Sequence, residues 1–370
     1  MGTRGREADW EGTQRESSGE LLRKKKRLNW WCVFGRIEIE ERIWRTAASS
    51  YERVFAPRIA VSNRGRSKPL DRVLSDFGAE HSFAKAAQQC KEHYGFEIPP
   101  SAARAATLKH AERARAKLEA HYKESFRLLP ARGSEHVVAE ADGTMICMVE
   151  PGKRKAKRPR FWQEMRLVAA QAHGCSQSHY AASLGKVQEL GARWAHCAKS
   201  AGWGIESQIH VVADGAEWIR LQSREVFGDQ EHFLCDFYHV SAYLADASKS
   251  CRAESPERWR KTQQKRLKNG AAAKVIQELA QHIEPPGTPE EEAPVFCAFR
   301  YMNNRRDAFD YPRALKHQLP IGSGLIESGH RHVLQARLKA AGTSWLPDNA
   351  ERMAQLRVLR ANHQWESFWN

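Results

Sequence analysis

The sequence predicts an α/β protein built on a mixed sheet, and two observations carry that prediction. Strand patterns alternate with helical patterns through the middle of the chain, with a third strand expected before the first helix, which is typical of an α/β layer. The segments with these patterns are 136–150, 161–174, 183–202, 205–219, 216–226 and 232–240, the last of which is strand-like and then turns helical. Residues 241–315 show helical patterns without a convincing strand, so this stretch is predicted to be helical.

The first 75 residues divide into a tail and a short β element. Residues 1–29 are polar and charged and end in the run RKKKR, which predicts a disordered basic tail or, alternatively, a non-specific DNA-contacting arm. From Trp30 to Arg45 apolar and polar residues alternate, a period-two pattern typical of a strand. Because residues 62–73 have the composition of a loop, we interpret 30–75 as a short β element followed by a linker.

Residues 76–133 predict a helical DNA-binding region. Helical patterns over 82–94 and 101–122 are separated by the turn 95–100, and Ser101 stands where an N-cap is expected. A helix, a turn and a basic helix outline a helix-turn-helix, whose second helix can enter a major groove. A helical hairpin without DNA contact has the same outline, so both interpretations stay open.

Charge and cysteine usage narrow the class of protein. The chain carries 59 Lys and Arg against 44 Asp and Glu, a formal charge of +15, which favours a polyanionic partner such as nucleic acid. No stretch approaches the roughly 20 apolar residues of a membrane span, and the N-terminus lacks a signal-peptide core, so neither a membrane nor a secreted protein is expected. The eight cysteines form no CxxC pair or Cys/His block, which argues against structural zinc and predicts reduced thiols in a cytoplasmic protein.

Three acids stand where phosphoryl-transfer chemistry would need them. Asp142 lies on the first predicted strand of the sheet, Asp214 at the carboxyl end of another, and Glu327 at the start of a helix after a glycine-rich turn. Carboxylates gathered together repel one another, whereas divalent cations bound between them remove that cost and can promote in-line phosphoryl displacement. Each acid also has a structural alternative, because Asp-Gly is a common turn pair and Glu327 could complement the helix dipole.

A set of short motifs in a fixed order is more specific than any single acid. The most specific are DGAEWI (214–219), DFYH (236–239) and LPIGSGLIES (319–328). The others are DFGAEHSFAKAAQQCKEHYGFEIP (76–99), DGT (142–144), FWQEMRL (161–167), QARLKAAGTSW (335–345) and WESFW (365–369). Over nearly all of residues 30–370 the chain resembles the bacterial insertion-sequence transposases of the Kra type, which implies a ribonuclease H-like catalytic fold with an Asp-Asp-Glu triad.

The resemblance implies a role for each acid. Asp142, Asp214 and Glu327 would be the first, second and third metal-binding acids, holding two Mg²⁺ ions for which Mn²⁺ can substitute. DFYH corresponds to the acid-x-x-His element of Mutator-like and related transposases. By that correspondence Asp236 and His239 would support the site or hold the scissile strand.

The resemblance also divides the rest of the chain and implies its partners. Residues 134–240 would form the first part of the ribonuclease H-like core, 241–315 an all-helical insertion, and 316–370 the second part of the core with the third acid and the C-terminal helices. The implied partner is double-stranded DNA, both the terminal repeats of the element and the target. A homodimer or larger synaptic assembly in the cytoplasm, at the bacterial nucleoid, is expected to bind it.

Basic and aromatic residues outside the triad are candidates for DNA contact. The loop between the first two strands of the sheet is so dense in positive charge that contact is favoured there. The candidates are Lys153, Arg154, Lys155, Lys157, Arg158 and Arg160 in or beside this loop, and Arg331, Arg337, Lys339 and Trp345 near the third acid. Arg331 could instead pair with Glu327, and the other basic residues of that group could simply be solvated. Trp218 is expected to pack rather than to stack on a base.

The sequence therefore predicts a transposase that cleaves DNA at the ends of its own element and transfers the resulting 3′-hydroxyl ends to a target. One rival prediction is a non-transposing nuclease on the same fold, such as a junction resolvase, which would not need the helical insertion. The rival from another class is a catalytically silent or domesticated DNA-binding protein. Convergence of the three carboxylates discriminates between the catalytic and the silent predictions.

Overall fold

The computed structural model describes residues 21–45, 51–52, 65–125, 128–152 and 159–370. The chain divides into two compact units, one ending at His110 and the other beginning at Ala111. This boundary falls within one long helix, Pro100–Lys123.

The first unit combines a four-stranded sheet with helices. Its strands are β1 (Leu21–Cys32), β2 (Gly35–Arg45), β3 (Tyr51–Glu52) and β4 (Gly65–Arg66), in the order β3-β2-β1-β4. Its helices are α1 (Lys68–Glu80), α2 (Phe83–Tyr94) and the first part of α3 (Pro100–Lys123). β1 and β2 form an antiparallel hairpin, which explains the period-two alternation of the sequence there. The helices enclose a small apolar core around Leu70, Leu74 and Cys90.

The structure corrects two sequence-based boundaries in this unit, the start of β1 and the start of α3. β1 begins at Leu21, so residues 21–29 form a strand rather than a disordered tail, while residues 1–20 lie outside the described part of the chain. The helix predicted to start at Ser101 begins one residue earlier, so Ser101 lies in its first turn and is not the N-cap.

The predicted loop over residues 62–73 contains the start of a helix. α1 begins at Lys68 because Ser67 caps it: the Ser67 hydroxyl accepts a hydrogen bond from the Leu70 N–H at 3.2 Å. The polar composition of this stretch comes from the cap and the exposed first turn of the helix. Composition alone therefore misassigned it as a linker.

The second unit is built on a five-stranded mixed sheet. Its strands are β5 (His136–Val149), β6 (Arg160–Ala172), β7 (Ser178–Ser183), β8 (Gln208–Ala213) and β9 (Glu231–Cys235), in the order β7-β6-β5-β8-β9. β6 pairs antiparallel with both β5 and β7, whereas β8 pairs parallel with both β5 and β9. The predicted α/β class with a mixed sheet is therefore confirmed.

Helices make up most of the remainder of this unit. After α3 they are α4 (Val187–Ser200), α5 (Glu217–Phe227), α6 (Phe237–Cys251), α7 (Pro256–Lys268), α8 (Ala272–Ala280), α9 (Pro294–Asn303), α10 (Tyr311–Lys316), α11 (Gly324–Gly329), α12 (Ala336–Leu338), α13 (Pro347–Ala361) and α14 (Trp365–Trp369). Residues 241–315, all of which are described, contain no strand. The helix predicted over 325–340 is interrupted by a π-helical segment, His330–Gln335, between α11 and α12. Such segments occur frequently at functional sites.

Two further expectations concern the whole described chain. No helix within the described ranges is long and apolar enough to cross a membrane. All eight cysteines fall within these ranges and all are free, which agrees with the expectation of reduced thiols.

Candidate active site

The register of the parallel strands places three aspartates in one row. Partners in β5 and β8 differ by 72 in residue number, and Asp142 and Asp214 differ by the same 72. Partners in β8 and β9 differ by 22, which extends the row to Asp236. The β5–β8 ladder ends at Glu140 opposite Val212, two positions before the row. Continued by those two positions, the register sets Asp142 opposite Asp214, on the face that Glu140 and Val212 share.

Asp142 has one side against a buried histidine and one side exposed. Its Oδ2 lies 3.2 Å from His330 Nε2, and its Oδ1 accepts a hydrogen bond from the Gly143 N–H at 2.7 Å. The Asp142 side chain is 44% exposed, whereas His330 is buried. Neither ring nitrogen of His330 makes a hydrogen bond within the described part of the chain. The carboxylate is therefore accessible from solvent on one side and contacts a buried imidazole on the other.

Asp214 directly follows β8 and lies in a turn. Residues of α9 and of the segment after it hold this turn in place. Its Oδ1 accepts from the Ala216 N–H at 2.9 Å, and its carbonyl oxygen accepts from the Tyr301 hydroxyl at 2.6 Å. The carbonyl oxygen of Gly215 accepts from Arg305 Nε at 2.8 Å. Gly215 has a φ of +82°, and a Cβ there would meet the Arg305 side chain, so the turn requires glycine. The helical region after β9 therefore helps to position the second acid.

Glu327 lies on α11, which sits on the same face of the sheet as Asp142. A Cβ on Gly329 would lie 2.6 Å from Tyr180 Cε1 and 3.0 Å from Leu167 Cδ2, so α11 approaches the strands closely there. Leu167 is the β6 partner of Asp142, and residues directly opposite in antiparallel strands share a face. The Glu327 side chain itself is exposed. α11 thus brings the third acid to the face that carries the first.

The donor chemistry of the three acids fits Mg²⁺, which prefers oxygen ligands and retains several waters. Within the described ranges, however, no group of three or more His, Cys, Asp or Glu side chains is gathered closely enough to hold a metal ion. The register makes Asp142 and Asp214 neighbours, whereas Glu327 is exposed on its helix. A shared metal site would therefore require the Glu327 side chain to turn toward the two aspartates.

Asp236 is buried and clamps two segments together. Its Oδ1 caps α6 by accepting from the N–H groups of Tyr238 and His239 at 2.6 and 2.9 Å. Its Oδ2 accepts from the N–H and the hydroxyl of Ser323 at 2.6 and 2.5 Å. Both carboxylate oxygens are therefore occupied by bonds that hold the start of α6 to the loop before α11.

His239 lies in the first turn of α6. The segment 232–240 was predicted to be strand-like and then to turn helical, which agrees with a strand that ends at Cys235 and a helix capped by Asp236. The His239 side chain is exposed, and its ring lies 5.4 Å from the ring of Tyr243 between centroids. An exposed imidazole beside the acid row is available to a ligand.

Glu140 and His330 are two residues at this edge that sequence reasoning missed. Glu140 is only 1% exposed on β5, two residues before Asp142 and on the same face. Its Oε2 accepts a hydrogen bond from the Ile326 N–H at 2.7 Å, and burial raises the pKa of Glu140 to about 8. The available signal was a glutamate within the apolar run VVAEA, since a buried polar side chain needs a partner.

The predicted DNA-contacting residues fall into three groups. Lys153, Arg154, Lys155, Lys157 and Arg158 lie outside the described residues. Arg160, at the start of β6, and Arg331 are exposed. The structure describes both Arg331 and Glu327, and no ion pair joins them. Lys339 is exposed and donates from Nζ to Thr144 Oγ1 at 3.2 Å, which keeps its charge near β5. These three positive charges remain candidates for phosphate contact.

Arg337 and Trp345 are buried, so their prediction as surface DNA contacts is wrong for this conformation. The Arg337 guanidinium lies 4.8 Å from the centroid of the Trp345 ring, and Trp345 is 7% exposed. The backbone N–H of Trp345 donates to the Cys147 carbonyl oxygen at 3.0 Å, which joins the segment after α12 to β5. Trp218 is half-buried with Arg166 5.5 Å from its ring, in line with its expected packing role.

Comparison with known proteins gives two findings. Residues 202–366 match the uncharacterised protein family UPF0236, and this span includes Asp214, Asp236 and Glu327 but not Asp142. Among solved structures, the Drosophila P element transposase strand transfer complex is similar over 80% of this chain and 79% of that chain, with 10% identity and a TM-score of 0.26. A TM-score this low does not establish a shared fold. No curated protein matches the chain.

Proposed function

We propose that this chain is an Asp-Asp-Glu transposase that cleaves DNA at the ends of its insertion sequence and transfers the 3′-hydroxyl ends to a target. The observation that carries the proposal is the row of Asp142 and Asp214 on neighbouring strands, with the helix of Glu327 on the same face. A mixed sheet of three antiparallel strands followed by two parallel ones, with acids just beyond the carboxyl end of the parallel pairing, is compatible with a ribonuclease H-like core.

Asp142, Asp214 and Glu327 would hold two Mg²⁺ ions, or Mn²⁺ in their place. When bound, the ions would supply activation of the attacking oxygen and stabilisation of the leaving oxygen in an in-line displacement. Among the residues of the chain, Asp142 presents a 44% exposed carboxylate and Glu327 an exposed one, so a DNA backbone can approach both. The buried His330, in contact with Asp142, would fix the orientation of that carboxylate.

Positive charge around the acids supports a phosphodiester substrate. Arg160, Arg331 and Lys339 are exposed, and the chain as a whole carries a formal charge of +15. Contacts from Lys and Arg to phosphates position DNA without reading its sequence. We therefore propose double-stranded DNA as the partner, bound by a homodimer or a larger assembly that brings two element ends together.

The alternative function is a catalytically silent DNA-binding protein, or a nuclease that cleaves without transposing. The open arrangement of the acids within the described ranges favours the silent alternative, because the three carboxylates are not gathered in advance. The hydrogen bonds between the helical region and the turn of Asp214 favour the catalytic proposal. Tyr301 and Arg305 donate these bonds and so position the second acid.

The test is DNA cleavage by the purified full chain on a plasmid that carries the DNA flanking its own gene. We expect Mg²⁺- or Mn²⁺-dependent strand cleavage at the element ends by the wild-type chain and its loss in Asp214→Asn, with unchanged DNA affinity. Asp229→Asn, in the exposed turn Gly228–Gln230, is the matched control and should cleave normally. Equal binding without cleavage by all three proteins would support the silent alternative, and cleavage without preference for the ends would support the nuclease.

A further inference from the structure

α11 begins without a side-chain cap of its own. The first N–H groups of a helix have no partner within the helix, and a serine at the N-cap usually accepts from one of them. Ser323 occupies the N-cap position of α11 but its side chain makes no cap bond, and its hydroxyl donates to Asp236 at 2.5 Å. The N–H groups in the first turn of α11 therefore need an acceptor from elsewhere in the fold.

Glu140 supplies that acceptor from the centre of β5. Its Oε2 accepts from the Ile326 N–H at 2.7 Å, and both residues are 1% exposed. The Leu325 N–H also lowers the pKa of this carboxyl group, against the larger effect of burial. A buried acid is destabilising unless its oxygens are hydrogen-bonded, so the bond from Ile326 explains why a glutamate is tolerated in this apolar part of the strand.

The segment that carries Glu327 is tied to the sheet edge on both sides of that residue. The three contacts join Ser323 to Asp236, Ile326 to Glu140 and His330 to Asp142. The two contacts to β5 involve residues two positions apart on one face of that strand. The backbone of Glu327 therefore lies between two contacts to the strand that carries the first acid.

We propose that Glu140 is a positioning residue that fixes the backbone of α11 against β5 and thereby holds Glu327 beside Asp142. The catalytic consequence rests on the proposed function, whereas the placement of α11 does not. Glu140 is not a metal ligand in this proposal, because its carboxyl group is buried and is bonded to the first turn of α11. It acts on the site only through the backbone of Glu327.

Hydrogen–deuterium exchange of the full chain tests the placement directly. In the wild-type chain the Ile326 amide should be protected. Glu140→Gln keeps an acceptor oxygen at the same distance and should exchange within threefold of wild type at Ile326. Glu140→Met has similar length but no strong acceptor and should exchange at least tenfold faster there. Glu231→Met, which removes a strand acid bonded instead to Ser223, is the control and should leave Ile326 unchanged.

Mn²⁺ affinity, measured by electron paramagnetic resonance on the DNA complex, tests the consequence for the site. We expect Glu140→Met to weaken Mn²⁺ binding at least tenfold, and Glu140→Gln to stay within threefold of wild type. Glu231→Met should bind Mn²⁺ normally even if its melting temperature falls as far as that of Glu140→Met. A merely structural role for Glu140 would give Mn²⁺ affinities that follow the melting temperature in all variants, which would overturn the proposal.

Two further results would also overturn it: an unprotected Ile326 amide in the wild-type chain, or equal protection in wild type and Glu140→Met. The first needs no variant, so it decides the matter even if Glu140→Met does not fold. If the exchange results hold but the wild-type chain neither binds Mn²⁺ nor cuts DNA, then the placement of α11 stands and the proposed function fails.

Discussion

The two ends of the parallel pairing among β5, β8 and β9 carry different chemistry. Beyond the carboxyl end of this pairing stands the row of Asp142, Asp214 and Asp236, and at its amino end stand His136, His210 and His232. The residues on each strand are separated by an even number of positions, so they share one face. One end gathers acids, whereas the other gathers imidazoles.

The partners of these groups differ as much as the groups themselves. Asp214 and Asp236 accept hydrogen bonds from backbone N–H groups at the starts of helices, where the helix dipole also favours negative charge. His136 and His210 are buried and His232 is half-buried, and His210 donates from Nε2 to the Pro320 carbonyl oxygen at 2.7 Å. Burial lowers the pKa of His210 to about 4 and also lowers the pKa of His136 and His232. The carboxyl end is therefore suited to hold charge, and the amino end carries neutral imidazoles.

The largest expected effect comes from neutralising an acid of the row. Asp142→Asn should reduce metal-dependent DNA cleavage by at least about 1000-fold, because an amide cannot replace a carboxylate between two cations. DNA affinity and the melting temperature should stay near wild type, since Asp142 is 44% exposed. Single-turnover cleavage and a binding titration measure both. Cleavage within tenfold of wild type would remove Asp142 from the site.

Removing the clamp at Asp236 should have the next largest effect, on stability. Asp236→Ala leaves four donors without their acceptor and should lower the free energy of unfolding by about 2–4 kcal/mol. Asp310→Ala is the matched control, because exposed Asp310 caps α10 through one bond, to the Arg313 N–H, and should cost about 1 kcal/mol. Urea denaturation measures both. Equal losses would show that the clamp adds nothing beyond an ordinary cap.

The lowered pKa of His210, at the neutral end of the sheet, predicts that the protein loses stability in acid. The pKa of His210 in the fold, about 4, lies below the roughly 6.5 of an unfolded chain. As the pH falls, the unfolded chain binds the proton first, so stability is complete above roughly pH 6.5 and is lost toward pH 4. Protonation of His210 alone can cost at most about 3 kcal/mol over this window. Arg313, His232 and His136 act in the same direction on its pKa.

His210→Gln should flatten the fall in unfolding free energy between pH 6.5 and 4, even if it lowers stability at pH 7. His282→Gln, at an exposed position beyond α8, is the control and should keep the wild-type slope. Urea unfolding at several pH values gives both slopes. Identical slopes in all three proteins would show that the amino end of the sheet is not the source of the acid sensitivity.

The smallest predicted effect tests how closely α11 lies on the acid-bearing face. Gly329→Ala would place a Cβ 2.6 Å from Tyr180 and should destabilise the chain by about 1–2 kcal/mol. Gly324→Ala is the matched control, since nothing lies within 4 Å of a Cβ there, and it should change stability by less than about 1 kcal/mol. Thermal melts measure both. Equal effects would mean that α11 does not approach the sheet at Gly329.

Much of the second unit could be predicted from the sequence because its strands are apolar runs and its helices are amphipathic. The predicted strand 136–150 corresponds to β5, and the α/β class follows from the order of the elements. Boundaries failed where a cap changes the structure within one residue. Ser67, for example, starts α1 inside an apparent loop. Side-chain capping bonds of this kind are invisible to periodicity.

The candidate site was predictable only in part. Motif resemblance selected Asp142, Asp214 and Glu327, and the strand register then made the first two neighbours. Glu140 was not predictable as a partner of Ile326, because that contact spans 186 positions and depends on how α11 lies on the sheet. Arg337 and Trp345 were assigned to the surface for the same reason. A basic residue near a site gives no sign in the sequence that it is buried against a tryptophan.

The most direct test of the central claim is the number of Mn²⁺ ions bound per chain in the DNA complex, measured by electron paramagnetic resonance. The account predicts two ions for the wild-type chain and fewer for Asp142→Asn, Asp214→Asn and Glu327→Gln, because all three side chains would share the ions. The same number of bound ions in the wild-type chain and in each variant would contradict it, since the three acids would then not form a common metal site.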